Sequence, residues 1–313
     1  MLRLLFHTTA FFAFFLLLVP GVPQAQSTPG LAYDEIARVV PSDATPPPPD
    51  AFALDLATLQ ARPPAPTPAA RRRGIFGGGS PQESTNRAGA LGRFATVLAP
   101  FAPGRLEHHA VLHGWERVDD PAARTAIIYK CDVNQVIYLD LERKRYRLAV
   151  PLADDPAPTG VGTARGVAYH DGVALGDQSI AGMKTQGFAA IERIVLSSST
   201  GTCASGTLTA ATQTYYARIA EPHRLCPARR PSVPPAPVSW VAQNGCTVSI
   251  QGRNSGPVEP IAQLAVFRLQ RIGSALAGTT APIGFLVERG NVQSLDSNAR
   301  SLFAVPAGFR SDG

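Results

Sequence analysis

Lysine is nearly absent from this chain of 313 residues. Lys130, Lys144 and Lys184 are the only three lysines among 29 basic residues, so the formal charge of +6 comes mainly from scattered arginines, a bias typical of genome composition. A nucleic-acid-binding surface would need a basic stripe interleaved with aromatic side chains. The tight run of arginines at residues 71–73 lies in a segment rich in proline and glycine. The sequence therefore predicts no nucleic-acid partner.

Signatures of catalysis and of metal binding are missing as well. The chain has neither a GxSxG nucleophile elbow nor a CxxC pair, and its acidic residues are scattered. His109 and His113 could share a metal ion on a helix, but the apolar alternation around them favours a strand, along which four residues span about 13 Å. We therefore predict no catalytic residue, no metal ion and no cofactor.

The first 25 residues have the features of a secretory signal. A positive charge at Arg3 precedes an apolar run over residues 4–19, and Pro20 and Gly21 follow it. The run is about 16 residues long, shorter than the roughly 20 that span a membrane, although an uncleaved anchor is the alternative. No cysteine precedes Cys131, so a lipoprotein-type anchor would have no acceptor. We expect an exported protein, periplasmic or extracellular.

Four cysteines lie in the exported part, namely Cys131, Cys203, Cys226 and Cys246. An even number of cysteines in an exported chain indicates two disulfide bonds. Three pairings are possible, and the sequence alone does not choose among them. We favour Cys131 with Cys203, which would join the centre of the chain to a later loop, and Cys226 with Cys246, which would close a proline-rich loop.

Residues 26–89 have the composition of a Pro/Gly-rich disordered arm or linker. Prolines occupy residues 46–49 and glycines occupy residues 77–79, and such a segment buries too little apolar surface to offset its ordering entropy. Residues 33–40 and 51–60 have a helical spacing of apolar side chains, so the alternative is a pair of marginal helices that dock on the domain. We favour disorder here, with the folded domain at residues 90–313.

The folded domain has the pattern of antiparallel β structure. Residues 125–150 contain three alternating segments joined by polar turns at residues 132–135 and 142–144, which indicates a meander with one apolar and one wet side. Residues 106–118 predict one earlier strand, later segments bring the number to about eight, and Asp296 could cap a short last helix. The predicted fold class is mainly β, or β-rich α+β, with a single curved antiparallel sheet or half-barrel and few short helices.

The segment AIIYKCDVNQVIYLDLERKRYRL, residues 126–148, resembles the central meander of LolA-like proteins, the bacterial lipoprotein-carrier superfamily. Three further segments are similar to an exported branch of that superfamily: SIAGMKTQGF at residues 179–188, ERGNVQSL at residues 288–295 and LFAVPAGFR at residues 302–310. The resemblance covers about residues 106–310, and the cysteine-containing stretch at residues 203–246 departs from it. It implies a curved antiparallel half-barrel around an apolar concavity.

The pattern and the resemblance together favour a non-enzymatic exported binding protein. One apolar sheet face would receive a lipid, an acyl chain or a hydrophobic segment of a partner. The alternative is a structural or protein-interaction domain peripherally associated with the bacterial cell envelope. A secreted hydrolase using His170, Asp171 and one of Ser197, Ser198 and Ser199 comes third. The candidate residues of the apolar face are Ile127, Tyr129, Ile137, Leu139, Leu141, Tyr146, Leu148, Phe188, Phe267 and Phe285.

Overall fold

The computed structural model describes residues 30–41, 48–61, 101–149, 162–201, 203, 205–221, 246–257, 259–260, 262–274 and 283–312. The predicted signal sequence and residues 62–89 of the predicted arm lie outside these ranges. Within them the chain forms one curved, unclosed sheet of 13 strands with two short helices, which confirms the mainly β fold class. Neither of these helices has the length and apolar character needed to cross a membrane.

The two helices are α1 (Phe52–Gln60) and a 3-10 helix, η1 (Ser297–Phe303). The strands are β1 (Gly30–Pro41), β2 (Arg105–Leu112), β3 (Trp115–Asp120), β4 (Thr125–Lys130), β5 (Gln135–Asp140), β6 (Arg145–Ala149), β7 (Gly162–Ile180), β8 (Met183–Ser199), β9 (Gly206–Ala220), β10 (Cys246–Ser255), β11 (Gln263–Ser274), β12 (Ile283–Leu295) and β13 (Arg310–Ser311). Their order across the sheet is β10-β7-β8-β9-β11-β12-β1-β2-β3-β4-β5-β6-β13. Neighbours run antiparallel except at the two edges, where β10 pairs with β7 and β13 with β6 in parallel, so the sheet is mixed.

Strands β4 to β6 form the meander that the sequence predicts, and β2 and β3 extend it, with tight turns between all five strands. The turns at residues 121–124, 131–134 and 141–144 each end on a residue with positive φ: Arg124 (φ 53°), Asn134 (φ 48°) and Lys144 (φ 52°). The single strand predicted at residues 106–118 is wrong, because His113 (φ 49°) and Gly114 (φ 83°) reverse the chain between β2 and β3. A two-residue turn of this kind is typical of a tight hairpin.

Part of the predicted arm belongs to the sheet. Residues 30–41 form β1, which lies between β12 and β2 near the middle of the strand order and pairs with both. The expectation of disorder, and the alternative of a helix at residues 33–40, are therefore wrong for this segment. Long-range pairing on both edges outweighs the weak local preference of such a short stretch.

The second helical segment of the predicted arm does form a helix. α1 packs through Phe52, which is 4% exposed, against Ile36 of β1 and Leu106 of β2. The Phe52 ring lies so close to Gly290 of β12 that a Cβ atom there would be 2.2 Å from it. The alternative of a docked helix at residues 51–60 is therefore confirmed, and a glycine at position 290 is what allows the close approach.

The register of the strands gives the sheet two faces. We call the side that contacts α1 and η1 the helix face, with Ile36 of β1 and Ile128 of β4 as its reference residues. The other side is called the reverse face and carries Glu35 and His109. Both faces are buried around β1 and β2, so this part of the sheet is covered on two sides.

The side chains of β4 that the sequence predicts for the apolar face lie on the other face of the sheet. Ile128 is 0% exposed and lies opposite Ile137 on the helix face, whereas Ile127 and Tyr129 are on the reverse face. Assigning Ile127 and Tyr129 to the same side as Ile137 was wrong. Apolar side chains occupy both sides of β4, so alternation within that strand does not reveal which side joins which core.

Candidate functional site

The predicted apolar site on β5 and β6 is a filled core. Ile137 and Leu139 are 3% and 2% exposed, and Phe303 of η1, at 0% exposed, packs in the same cluster. Leu141 and Tyr146 are partly buried against it. This part of the helix face is therefore covered by a helix of the chain itself.

The remaining predicted side chains are spread over both faces. Leu148 lies on the helix face beside this core but is 52% exposed. Phe188 and Phe285 are buried on the reverse face, whereas Phe267 is buried on the helix face and packs edge-on against Tyr215. The ten predicted residues therefore do not line one common surface.

The residues considered for a hydrolase do not converge. The Ser197 hydroxyl lies 3.5 Å from the Arg165 carbonyl oxygen, whereas His170 is five residues farther along β7, or about 16 Å. Asp171 accepts a hydrogen bond from the Ser255 hydroxyl at 2.5 Å. Ser197 and His170 are therefore too far apart to act together.

An exposed apolar patch lies instead on β7 and β8. Val173, Leu175 and Ile191 are 57%, 43% and 52% exposed. Their strand positions place them on the helix face, and a Cβ atom built on Gly187 would contact both Leu175 and Tyr215. We call Val173, Leu175 and Ile191 the edge patch. Exposed apolar groups this close together are typical of interaction surfaces.

The edge patch borders an open stretch of sheet edge. β10 pairs with β7 only as far as Ser255 opposite Asp171, and the chain then passes through Gly256 (φ 85°) and Pro257. A Cβ atom on Gly256 would lie 2.0 Å from the Gly172 carbonyl oxygen, so the chain passes very close to β7 as β10 ends. Within the described ranges, residues 172–180 of β7 have β8 on one side and no strand on the other.

The reverse face carries a buried group of charged side chains, which we call the carboxylate cluster: Glu35, Glu107, His109, Glu116 and Arg289. They come from β1, β2, β3 and β12, and their exposed fractions are 2%, 8%, 3%, 3% and 7%. Neighbouring strands bring them together because Glu35 lies opposite both Glu107 and Arg289. Ionised side chains are rarely buried this deeply unless they are paired or bind an ion.

Each acid of this cluster has a defined partner. Arg289 Nε donates to Glu35 Oε2 at 2.9 Å, and the Arg105 guanidinium lies 3.0 Å from Glu107 Oε1. His109 Nδ1 lies 3.4 Å from Glu116 Oε1, and His109 Nε2 lies 3.2 Å from Glu107 Oε2. The acids and the imidazole therefore form one connected network.

Aromatic stacking and charge hold the arginine and the histidine in place. Tyr33 stacks on His109 with ring centroids 4.9 Å apart and an interplanar angle of 6°, and the Arg289 guanidinium lies 5.3 Å from the Tyr33 ring centroid. Burial would lower the pKa of Arg289, but Tyr33, Glu35 and Glu221 together raise it above its ordinary value. The guanidinium is therefore charged at any physiological pH.

Sequence reasoning missed this cluster. The sequence relates His109 only to the nearby His113, whereas Glu35, which lies 4.0 Å from His109 Nε2, comes from β1. The available signal was the charged residue types themselves, since Glu35 directly precedes the apolar Ile36 and Glu107 directly follows the apolar Leu106 within their strands.

A second buried group of charges lies beneath α1. Arg38 of β1 forms an ion pair with Asp55 of α1 and lies 3.6 Å from Glu288 of β12, which is 1% exposed. Burial, followed by the neighbouring Asp55 carboxyl, raises the pKa of Glu288 to about 8, although Arg38 opposes the shift. Glu288 is therefore largely protonated at neutral pH, and α1 is docked by a charge arrangement that depends on pH.

The cysteines whose side chains are described have no free thiol. This holds for Cys131, in the turn between β4 and β5, and for Cys203, which packs against the apolar cluster around Phe285. Cys226 and the side chain of Cys246 lie outside the described part of the chain. The predicted pairing of Cys131 with Cys203 and of Cys226 with Cys246 therefore stays a prediction.

Comparisons with protein-family models, with curated proteins and with solved structures found no match to this chain.

Proposed function

We propose that the chain is a non-enzymatic exported binding protein that holds an extended hydrophobic segment of a partner at the edge patch. The observation that carries this proposal is the exposure of Val173, Leu175 and Ile191 next to an open strand edge. An added strand would lie beside residues 172–180 of β7, in line with β10. Its backbone would pair with β7, and its alternate side chains would cover the patch.

Exposure favours this patch over the other apolar surfaces. The side chains predicted on β5 are covered by Phe303, so a ligand there would have to displace η1. Val173 and Ile191 need no such displacement, because more than half of each side chain already faces solvent. A long open strand edge with apolar side chains is a surface that proteins normally protect or use.

Two arginines border the edge patch on the same face. Tyr169 lies between Arg193, whose guanidinium carbon is 4.8 Å from the ring centroid, and Arg253, at 5.9 Å. The partner segment that fits best is therefore apolar along its length, with an acidic residue at the end that reaches Tyr169. A lipid or free acyl chain would satisfy the apolar part but would not pair with the edge of β7 that has no neighbouring strand within the described ranges.

Binding of a short synthetic peptide tests this proposal. The probe is a fluorescent eight-residue peptide of alternating valine and threonine that ends in aspartate, and the control peptide carries proline at alternate positions, because proline cannot donate to the added strand. We expect the first peptide to bind, and Val173→Asp to weaken its affinity about tenfold or more by removing apolar contact. Ser179→Asp is the matched control, since Ser179 is exposed on the reverse side of the same strand.

The alternatives give different results in the same titrations. Binding of a fluorescent fatty acid but of neither peptide would assign an acyl chain as the ligand instead. Binding of neither the peptide nor the fatty acid would contradict a binding role for the edge patch.

The second candidate is a structural or protein-interaction domain of the cell envelope. The filled core beneath η1 favours it, because a scaffold needs a stable sheet rather than an internal cavity.

A further inference from the structure

We propose that the carboxylate cluster is a binding site for a divalent transition-metal ion, with Glu35, Glu107 and His109 as protein ligands. The three potential donor atoms all lie within 4.8 Å of one another. His109 Nε2 is 3.2 Å from Glu107 Oε2 and 4.0 Å from Glu35 Oε1. This site is separate from the edge patch and does not depend on the function proposed there.

The spacing suits one small ion. Zinc binds histidine nitrogen and carboxylate oxygen at about 2.0–2.2 Å, so ligand atoms around one ion lie roughly 3–3.6 Å apart. The separation of His109 Nε2 from Glu107 Oε2 is already in that range. Glu35 Oε1 lies 4.0 Å from His109 Nε2, and because the three donor atoms span up to 4.8 Å, it would need to move inward by roughly 1–2 Å. Ion binding would therefore require a movement of the Glu35 side chain.

The atoms of these residues that face away from the site are already held by neighbours. Glu35 Oε2 accepts from Arg289 Nε at 2.9 Å, and Glu107 Oε1 faces Arg105 at 3.0 Å. His109 Nδ1 faces Glu116 Oε1 at 3.4 Å. A carboxylate on the second nitrogen fixes the tautomer that leaves Nε2 available as a ligand, which is a recurring feature of metal-binding histidines.

The charge of the cluster has the sign that an ion would balance. Among the described residues, five carboxylates and two guanidinium groups take part in its ion pairs, which corresponds to a formal charge of −3 for these seven groups. The acids are Glu35, Glu107, Glu116, Asp120 and Glu221, and the bases are Arg105 and Arg289. Buried carboxylates are stabilised by a cation placed among them.

The donor set indicates the class of metal. One imidazole nitrogen with two carboxylate oxygens favours zinc or a similar divalent transition metal over calcium and magnesium, which prefer oxygen ligands alone. The competing arrangement has no metal: a protonated His109 would donate from Nε2 to Glu107 and from Nδ1 to Glu116. The two arrangements predict opposite responses to added zinc.

Zinc titration of the full chain distinguishes them. The protein is stripped with a chelator, dialysed and titrated with zinc chloride by calorimetry at several pH values, with melting temperatures measured in parallel. We expect one zinc ion per chain, a melting temperature raised by several degrees, and weaker binding at lower pH because protons compete for His109. No stoichiometric binding and an unchanged melting temperature would overturn the proposal in favour of the protonated histidine.

Variants and spectroscopy locate the ion. His109→Gln should abolish the stabilisation by zinc, whereas His108→Gln should retain it, because His108 lies on the helix face and pairs with Asp34. If His109→Gln fails to fold, X-ray absorption of the zinc-loaded wild-type protein decides the question. Nitrogen and oxygen neighbours near 2.0–2.2 Å, including an imidazole, would support the site, and sulfur neighbours near 2.3 Å would overturn it.

Discussion

The two faces of the sheet near β2 are both buried, but one carries apolar side chains and the other carries charged side chains. On the helix face, Ala110 joins an apolar cluster that Phe303 covers. On the reverse face, the adjacent residue His109 is 3% exposed but is surrounded by Glu107 and Glu116. One strand thus separates a core stabilised by removal of apolar surface from water and a core stabilised by the pairing of charges.

The difference predicts how each face responds to substitution. Apolar burial is non-directional, so a change of side-chain shape on the helix face lowers the free energy of unfolding mainly through lost contacts or a cavity. Buried ion pairs depend on every partner, because removing one leaves an uncompensated charge. Charge insertion should therefore damage the helix face most, and charge removal should damage the reverse face most.

The largest effect is expected from a charge placed under η1. Leu139→Asp puts an unpaired carboxylate in a fully buried apolar cluster, and we expect unfolding, since burial of such a group costs several kcal/mol. The measurement is chemical denaturation followed by far-ultraviolet circular dichroism. The control is Tyr138→Asp, at a neighbouring position that is 38% exposed, and it should keep the fold. A stable Leu139→Asp protein would mean that water reaches this core.

The next effect in size concerns the reverse face. Arg289→Met keeps an apolar stem but leaves Glu35 and Glu221 without that guanidinium, and we expect a loss of about 3–5 kcal/mol in the free energy of unfolding. Arg218→Met is the control, because its ion pair with Asp177 is exposed and should contribute about 1 kcal/mol or less. Equal losses in the two variants would remove the distinction between the faces.

The smallest effect is a pH dependence beneath α1, where the helix face contains charge. The folded state holds the pKa of Glu288 at about 8, above the ordinary value of 4.5, so the folded protein binds a proton more tightly than the unfolded chain does. This contribution to stability is complete below about pH 4.5 and is lost as the pH rises towards about 8. Glu288→Gln mimics the protonated acid, so the stability of this variant should fall less steeply between about pH 4.5 and 8 than that of the wild type.

Melting curves of the wild type and of Glu288→Gln between pH 5 and 9 measure this contribution, since the difference between them cancels other titrating groups. If the melting temperatures of the two proteins changed with pH in the same way, Glu288 would not titrate in this range. A melting difference confined to acid pH would show that its pKa is not raised.

Local sequence determined the meander of β4 to β6 and the start of η1. Polar turns at residues 131–134 and 141–144 separate the alternating segments. The end of each short strand can therefore be recognised from a few neighbouring residues. Asp296 likewise begins η1 as predicted, with its side chain accepting from the backbone amides of Asn298 and Ala299. These features depend on hydrogen bonds between residues that are close in the chain.

The tertiary structure alone decided which side of each strand meets which core. Alternation reveals a face only where one side of a strand is polar, and β4 carries apolar side chains on both sides, as Ile127 and Ile128 show. The same holds for the placement of β1 beside β2 and β12, and for the meeting of Glu35 with His109 and Arg289. Those contacts join residues far apart in the chain, and their stability comes from mutual pairing that no local pattern records.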